Sequence, residues 1–508
     1  MNAKDGILSK TSSPDLEKVA GPNDLSRDRT MDRSLLSSVA WNATGDWVSQ
    51  IFSWLSFLIV IRLLTPADFG IVNMALVLLP FLQYMATFGI GRAIITLRDL
   101  TDEQLAQLNT VGLLLGITGF ALAAALAKPF AVFFKTPGVA PVLMVTCIAL
   151  IPNGMQTVSA GLLTRDMRFR TLSLLNGASA VVAAVFTLLF AWLGWKYWAL
   201  VLGNLLATCF RSAFILRSRP QKYAIPHIAS IREPLRFGGH VIVSLIALNC
   251  YQRLDNLTAG RVLGQTALGL YGMAWTLANV PLEKVTSLVT TVIPSYLAQL
   301  QEDPAALRRY LRNLTEGLAL ATFPATVGLG LVARELIPLA LGRRWIGVIP
   351  SLEVLSVYAA FRSIVALLPK LLTAIGNPRF VMWNDLAALV ILPASFYVGS
   401  RWGIAGIAWG WVVAYPIIAV PLYRKTFLTI GMKTREYIRA LRPALDATII
   451  MTAAVLLLKY LIPAREPLPL RLALEITAGI LAYGGTLLLG YRQRVAAFVN
   501  TAKSFRHR

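Results

Sequence analysis

A few charged residues interrupt the apolar stretches of this sequence, and two of them stand in one segment, Asn249-Cys-Tyr-Gln-Arg253-Leu-Asp255-Asn256-Leu-Thr-Ala-Gly260. A charged side chain within an apolar helix costs about 2.5 to 3.5 kcal/mol on insertion scales, so it is kept where it meets a cavity or a partner. Read as helix, Asn249, Arg253, Asn256 and Gly260 follow the i, i+4, i+7, i+11 spacing of one face. Arg253 and Asp255 are about 200° apart around such a helix and cannot simply neutralise each other. Two uses of Arg253 fit this pattern: a cation facing a water-filled cavity that attracts an anion, or one half of an ion pair between helices. Arg362 has no anionic neighbour within a turn and is the second candidate cation. Arg92 and Lys284 complete the candidate substrate-binding set with Arg253, Arg362, Asn249 and Asn256, although both could instead snorkel to a membrane interface. Asp46, Asp255 and Glu283 are the carboxylates that could hold a coupling proton or Na⁺.

The elements that must position these residues follow from composition. Of 508 residues 56% are hydrophobic and 14% charged, with a mean hydropathy of +0.63. Apolar runs of about 20 residues, enough to cross a hydrocarbon core as helix, recur along the chain. Fourteen spans are predicted, at about 39–61, 69–91, 106–127, 139–162, 173–193, 197–216, 238–260, 267–298, 314–333, 349–374, 380–398, 403–423, 443–462 and 470–490. The fold class is therefore all-α and integral to the membrane, and a soluble enzyme with a small anchor is excluded. An even number of spans puts both termini on one side. Lys and Arg concentrate in the tails and loops of that side, leaving Arg253, Lys284 and Arg362 read as lying within spans. By the positive-inside rule both termini are cytoplasmic, and most of the net charge of +23 reflects topology and anionic lipid rather than nucleic acid.

The organisation expected is a polar cytoplasmic tail at 1–38, a first lobe at 39–216, a basic linker at 217–237, a second lobe at 238–425, a basic loop at 426–442, two further helices at 443–490 and a basic tail at 491–508. The tail at 1–38 has no apolar core of 7 to 15 residues and is not read as a secretory signal. An internal repeat at an offset of 199 supports the two lobes: Arg62-Leu-Leu-Thr-Pro-Ala-Asp-Phe-Gly70-Ile-Val-Asn-Met74-Ala75 aligns with Arg261-Val-Leu-Gly-Gln-Thr-Ala-Leu-Gly269-Leu-Tyr-Gly-Met273-Ala274. Gly194-Trp-Lys-Tyr-Trp-Ala199 echoes Gly403-Ile-Ala-Gly-Ile-Ala408. Six spans separate the copies, so they share one orientation, an architecture of secondary transporters that handle substrate between the halves.

Pro80, Pro152, Pro281, Pro324, Pro369, Pro393 and Pro416 fall inside spans, where each removes a helix hydrogen bond and favours a kink. Cys147, Cys209 and Cys250 sit in apolar runs as packing residues, and the three histidines form no cluster of metal-ligand spacing. No cofactor or metal is expected. P-loops, G-x-S-x-G elbows and H-E-x-x-H are absent, and no connection exceeds about 20 residues, so catalysis in this chain is not expected.

From about residue 35 to 490 the chain resembles the polysaccharide transporter family of the multidrug/oligosaccharidyl-lipid/polysaccharide flippase superfamily, particularly its lipopolysaccharide and exopolysaccharide flippases. The segments that carry the resemblance are Arg62 to Gly70 followed by Phe88-Gly-Ile-Gly91-Arg92-Ala93, Arg253 to Asn256 through Gly264 and Tyr271, then Pro294 and Leu297. Leu163 to Phe169, Leu341-Gly342-Arg-Arg-Trp345 and Ala374-Ile-Gly376-Asn377-Pro378 add to it. The resemblance implies two six-helix lobes forming a V around a central cavity, with the last two helices outside. It implies an undecaprenyl-pyrophosphate-linked oligosaccharide as substrate, carried from the cytoplasmic to the periplasmic leaflet of a bacterial inner membrane, with Arg253 and Arg362 as the interior cations. Partners would be membrane lipids and, in the same biosynthesis, a polysaccharide polymerase and chain-length machinery. Two other readings compete. A cation-coupled drug exporter of the same superfamily would favour interior carboxylates over arginines, and a membrane-embedded polysaccharide polymerase would show a long extramembrane loop.

Overall fold

The computed structural model describes residue 50 and residues 52–97, 99–236, 239, 253–290, 303–463 and 466–492; Asp46 and Asn249 lie outside them. Among the described residues the chain is helical, with no strand. This is the expected outcome for a backbone that must satisfy its own polar groups in hydrocarbon. In chain order the helices are α1 (Phe52–Leu63), α2 (Pro66–Thr87), α3 (Ile90–Thr96), α4 (Asp102–Phe133), α5 (Val139–Cys147), α6 (Leu150–Arg165), α7 (Phe169–Trp192) and α8 (Tyr197–Ser218). The second half holds α9 (Leu254–Thr258), a π-turn (Ala259–Leu263), α10 (Gln265–Thr290), α11 (Pro304–Leu331), α12 (Ala333–Ala340), a 3₁₀ turn (Arg343–Val348), α13 (Ile349–Val365), α14 (Leu367–Ala374), α15 (Pro378–Gly399) and α16 (Gly403–Ile430). The last two are α17 (Thr434–Leu461) and α18 (Leu468–Gly490). Ten helical segments among the described residues are long and apolar enough to cross a membrane.

Local chemistry sets where these helices start. Thr65 caps α2 by accepting the Asp68 N–H at 3.3 Å, while the Asp68 carboxylate accepts the Thr65 N–H at 2.9 Å. Pro66 fills the first position, where its missing N–H is of no consequence. Thr101 and Gln104 repeat the device on α4. Two of the seven prolines coincide with breaks: Pro152 follows the turn between α5 and α6, and Pro369 follows the turn at Ala366 between α13 and α14. Pro80, Pro281, Pro324, Pro393 and Pro416 lie within continuous helices.

The halves meet through the two segments that repeat in the sequence. A methyl group on Gly70 of α2 would overlap the Gln265 carbonyl of α10, and one on Gly269 of α10 would overlap the Pro66 carbonyl of α2. Gln265 and Pro66 are themselves 199 positions apart, as are the two glycines, so the contact is reciprocal. Glycine is needed at both because backbone touches backbone. The repeat arginines also cross over. Arg62 donates through Nε to the Ala340 carbonyl (3.0 Å) and through Nη2 to that of Leu339 (2.6 Å), satisfying the end of α12. Arg261 lies 5.4 Å from the Phe133 ring at the end of α4. Trp345 donates to the Ile61 carbonyl at 3.0 Å and packs edge-on against Phe69.

One buried core accordingly spans both halves at this end, joining Ile61, Met74 and Phe134 to Leu268, Tyr271 and Trp345. Toward the other end the buried clusters divide. One holds Ile90, Leu108 and Leu162 of the first half, another Leu311, Leu368 and Tyr437 of the second. There a hydrogen bond from Lys284 Nζ to Gln50 Oε1 (3.0 Å) bridges the chain halves.

Candidate functional site

From Arg253 on, the polar segment is not a single regular α-helix. Arg253 precedes α9 at φ −116°, α9 itself is five residues long, and the chain passes into the π-turn, which ends at Gly264 with φ +86°. Among the described residues of the i, i+4, i+7, i+11 alignment, Arg253 is exposed, Asn256 half-buried, and Gly260 is buried against Phe134. A π-turn widens the helix by one residue per turn and rotates everything after it away from the α-helical register.

Asp255 turns the opposite way from Arg253, as their separation requires, and is fully buried. Its partners are neutral donors: Tyr271 Oη at 2.8 Å and Trp411 Nε1 at 3.2 Å on one carboxylate oxygen, and the Asn256 N–H at 2.7 Å on the other. These hydrogen bonds tie α9 to α10 and α16. Trp411 lies against Trp275, Tyr358 and Phe396 at centroid distances of 5.3, 4.9 and 4.9 Å. The Arg362 guanidinium sits 5.6 Å from the Trp275 ring and donates to Asn279 Oδ1 at 2.8 Å, while Asn279 Nδ2 donates to the Trp275 carbonyl. Tyr271, Trp275, Asn279 and Glu283 are spaced i, i+4, i+8, i+12 on α10, one stripe running from the buried carboxylate to the exposed Glu283. The structure thus connects Asp255 and Arg362, which the sequence offered as separate candidates, through aromatic rings. Arg253, Glu283 and Lys284 are exposed.

Arg92 lies in the other half. It lines a pocket of about 410 Å³ between α2, α3, α6 and α8, opposite Arg211. Arg211, Asn153 and Gln156 escaped the sequence reading. Arg211 falls near the end of its predicted span and reads as a flanking charge, and the two amides are uncharged; their common signal is polarity inside spans 139–162 and 197–216. A third group was also missed: Lys459 of α17 meets Glu335 of α12 at 2.7 Å and Glu475 of α18 at 3.4 Å, and Arg471 meets Glu335 at 3.2 Å. These buried charges fasten the last two helices to the second half.

Multiple membrane-crossing helices, internally repeated contacts and interior charges define a multi-pass membrane protein of transporter-like build. The chain belongs to the polysaccharide biosynthesis protein family, whose model matches residues 59–350. It is 24% identical over 417 residues to the lipopolysaccharide biosynthesis protein WzxC of Escherichia coli, covering 80% of this chain and 84% of that protein. It is 22% identical over 475 residues to the teichuronic acid biosynthesis protein TuaB of Bacillus subtilis, covering 91% and 97%. Its fold is similar to that of the lipid II flippase MurJ in an inward closed conformation, with a TM-score of 0.69 at 15% identity over 90% of this chain and 100% of that one.

Proposed function

We propose that the protein carries an undecaprenyl-pyrophosphate-linked oligosaccharide from the cytoplasmic to the periplasmic leaflet of a bacterial inner membrane, for lipopolysaccharide or exopolysaccharide synthesis, by alternating access. The observation that carries this reading is the division of the core: joined at the end where α2 and α10 cross, separate toward the other. Two lobes that meet at one end in a reciprocal glycine contact form a V, and the order of the fourteen predicted spans makes these lobes six helices each with α17 and α18 outside. With both termini cytoplasmic by the positive-inside rule, the joined end is periplasmic and the V opens toward the cytoplasm. Arg362, half-buried beside Trp275, and Arg92 and Arg211, which line one pocket, suit a substrate carrying a diphosphate. Family membership supports a polysaccharide precursor as cargo.

The Lys284 to Gln50 contact offers a test of alternating access. Cysteines placed by Gln50→Cys and Lys284→Cys can be joined by a bifunctional thiol reagent about as long as the two side chains they replace, which should hold the cytoplasmic end in one arrangement and stop turnover in proteoliposomes. Undiminished flux in the cross-linked protein would refute the mechanism.

A further inference from the structure

The exposed face of α16 changes character where hydrocarbon is expected to end. Val413, Ile417 and Val420 are 64, 58 and 61% exposed and fall at i, i+4 and i+7, one apolar stripe turned away from the rest of the protein. In a helix that crosses a membrane such a face meets lipid. The next residue of the stripe, at i+11, is Arg424, one position past the predicted span 403–423. Arg424 enters a groove of about 620 Å³ formed by the end of α16, the turn after it and the start of α17. Val420, Tyr423 and Phe427 supply its apolar lining, and its charged lining residues are Arg424 and Lys433, with no carboxylate.

Other cations around this turn are engaged. Arg308 of α11 donates Nη1 to the Gly431 carbonyl at 3.0 Å, Arg312 meets Glu436 at 4.0 Å, and Lys425 lies 6.0 Å from the Phe380 ring. Among the described residues the side chains of Arg424 and Lys433 have no such partner. The turn that carries Lys433 is fixed: Gly431 takes φ +66°, and the Gly431 and Met432 N–H groups both donate to the Phe427 carbonyl. Two cations are thus held at the end of an apolar stripe without an anion of their own. That arrangement suits an amphiphile with an anionic head.

We propose that this groove binds an anionic phospholipid of the surrounding bilayer: Arg424 and Lys433 hold its phosphate, and an acyl chain runs along Val420, Ile417 and Val413. A zwitterionic lipid brings its own cation to the same place and is disfavoured. Every lining residue belongs to α16, α17 or their turn, so the lipid sits on the second half alone and not between the halves. The positive-inside reading puts the groove in the cytoplasmic leaflet, where anionic lipid is plentiful. Binding itself depends neither on that reading nor on transport.

The test uses the full chain in phosphatidylcholine nanodiscs containing a small share of phosphatidylglycerol with a photoactivatable group at the top of one acyl chain, the labelled peptides being mapped by mass spectrometry. Peptides covering residues 413–428 should carry label, and unlabelled phosphatidylglycerol should displace it. Arg424→Gln and Lys433→Gln should each cut that labelling about fivefold, and the double variant about 25-fold. Arg424→Lys combined with Lys433→Arg keeps both charges and should label as wild type. The exposed apolar residues Leu174, Val185 and Leu189 of α7 report bulk lipid contact, and their labelling should be equal in all variants, which a misfolded protein would not show. Unchanged labelling of 413–428 in the double variant overturns the proposal. So does equal labelling by a photoactivatable phosphatidylcholine, which would leave only an apolar surface. Farnesyl diphosphate displacing the label more effectively than phosphatidylglycerol also overturns it, making the groove a station for a prenyl diphosphate.

Discussion

Gly70→Ala places a methyl group inside the Gln265 carbonyl oxygen, where ordinary contact begins at 3.4 Å. To clear it, α2 and α10 must part by roughly 1.5 Å, because the obstacle is backbone and has no rotamer to change. Overpacking of this sort costs about 1 to 3 kcal/mol. In a protein with two arrangements the cost falls on the one in which these helices touch, the arrangement with the joined core. Taking about 2 kcal/mol, the ratio of parted to joined molecules rises roughly 30-fold. Spin labels at Leu63 and Ile346, exposed residues at the joined end, one on each half, read this as a shift toward longer distances by double electron–electron resonance. The background would replace Cys147, Cys209 and Cys250. Gly269→Ala should act in the same direction, since it meets the Pro66 carbonyl, whereas Gly484→Ala meets nothing within 4 Å and should leave the distances alone. Identical distance distributions in Gly70→Ala and wild type, with both proteins folded, would show that this crossing does not hold the joined end closed.

Three other perturbations follow from the same packing. Lys459→Met leaves Glu335 and Glu475 buried without their shared cation, so it should cost about 3 to 5 kcal/mol and lower Tm, with α17 and α18 becoming the first segment cut by protease; an unchanged Tm and digestion pattern would count against their anchoring role. Tyr271→Phe removes one of two side-chain donors to the buried Asp255 carboxylate and should destabilise by about 1.5 to 3 kcal/mol in denaturant unfolding, while the same change at the exposed Tyr460 should register within error. Arg362→Ala should slow transport roughly tenfold, a barrier increase of about 1.4 kcal/mol, with the protein still inserted; wild-type rates would remove Arg362 from the substrate path.

The helices were legible because hydrocarbon leaves the chain few alternatives: the predicted span 139–162 became α5 and α6, and 349–374 became α13 and α14, each broken beside the proline the sequence displayed. Gly70 and Gly269, aligned by sequence alone, lie at the crossing of α2 and α10. What escaped were relations set by tertiary packing. Asp255 was read as a carboxylate that could hold a coupling ion, and its hydrogen-bond partners Tyr271 and Trp411 are neutral donors that carry no charge signal. The π-turn could not be seen in the spacing of Asn249 to Gly260, since nothing in the residue types marks the extra residue per turn. Lys459 and Arg471 lie near predicted span ends, and nothing in the sequence shows that the fold brings Glu335 of α12 to them. The stripe Tyr271, Trp275, Asn279, Glu283 was there to be read at helical spacing, masked by the assumption that only charges matter within a span.

The central claim is leaflet exchange of a lipid-linked oligosaccharide, and the most direct measurement is made with purified protein in proteoliposomes. A labelled undecaprenyl-pyrophosphate oligosaccharide would be placed in one leaflet and its sugar followed with an impermeant probe. Protein-dependent movement, slowed by Arg362→Ala and stopped by cross-linking residues 50 and 284, is the predicted result. No movement of several such lipids by folded protein would contradict it.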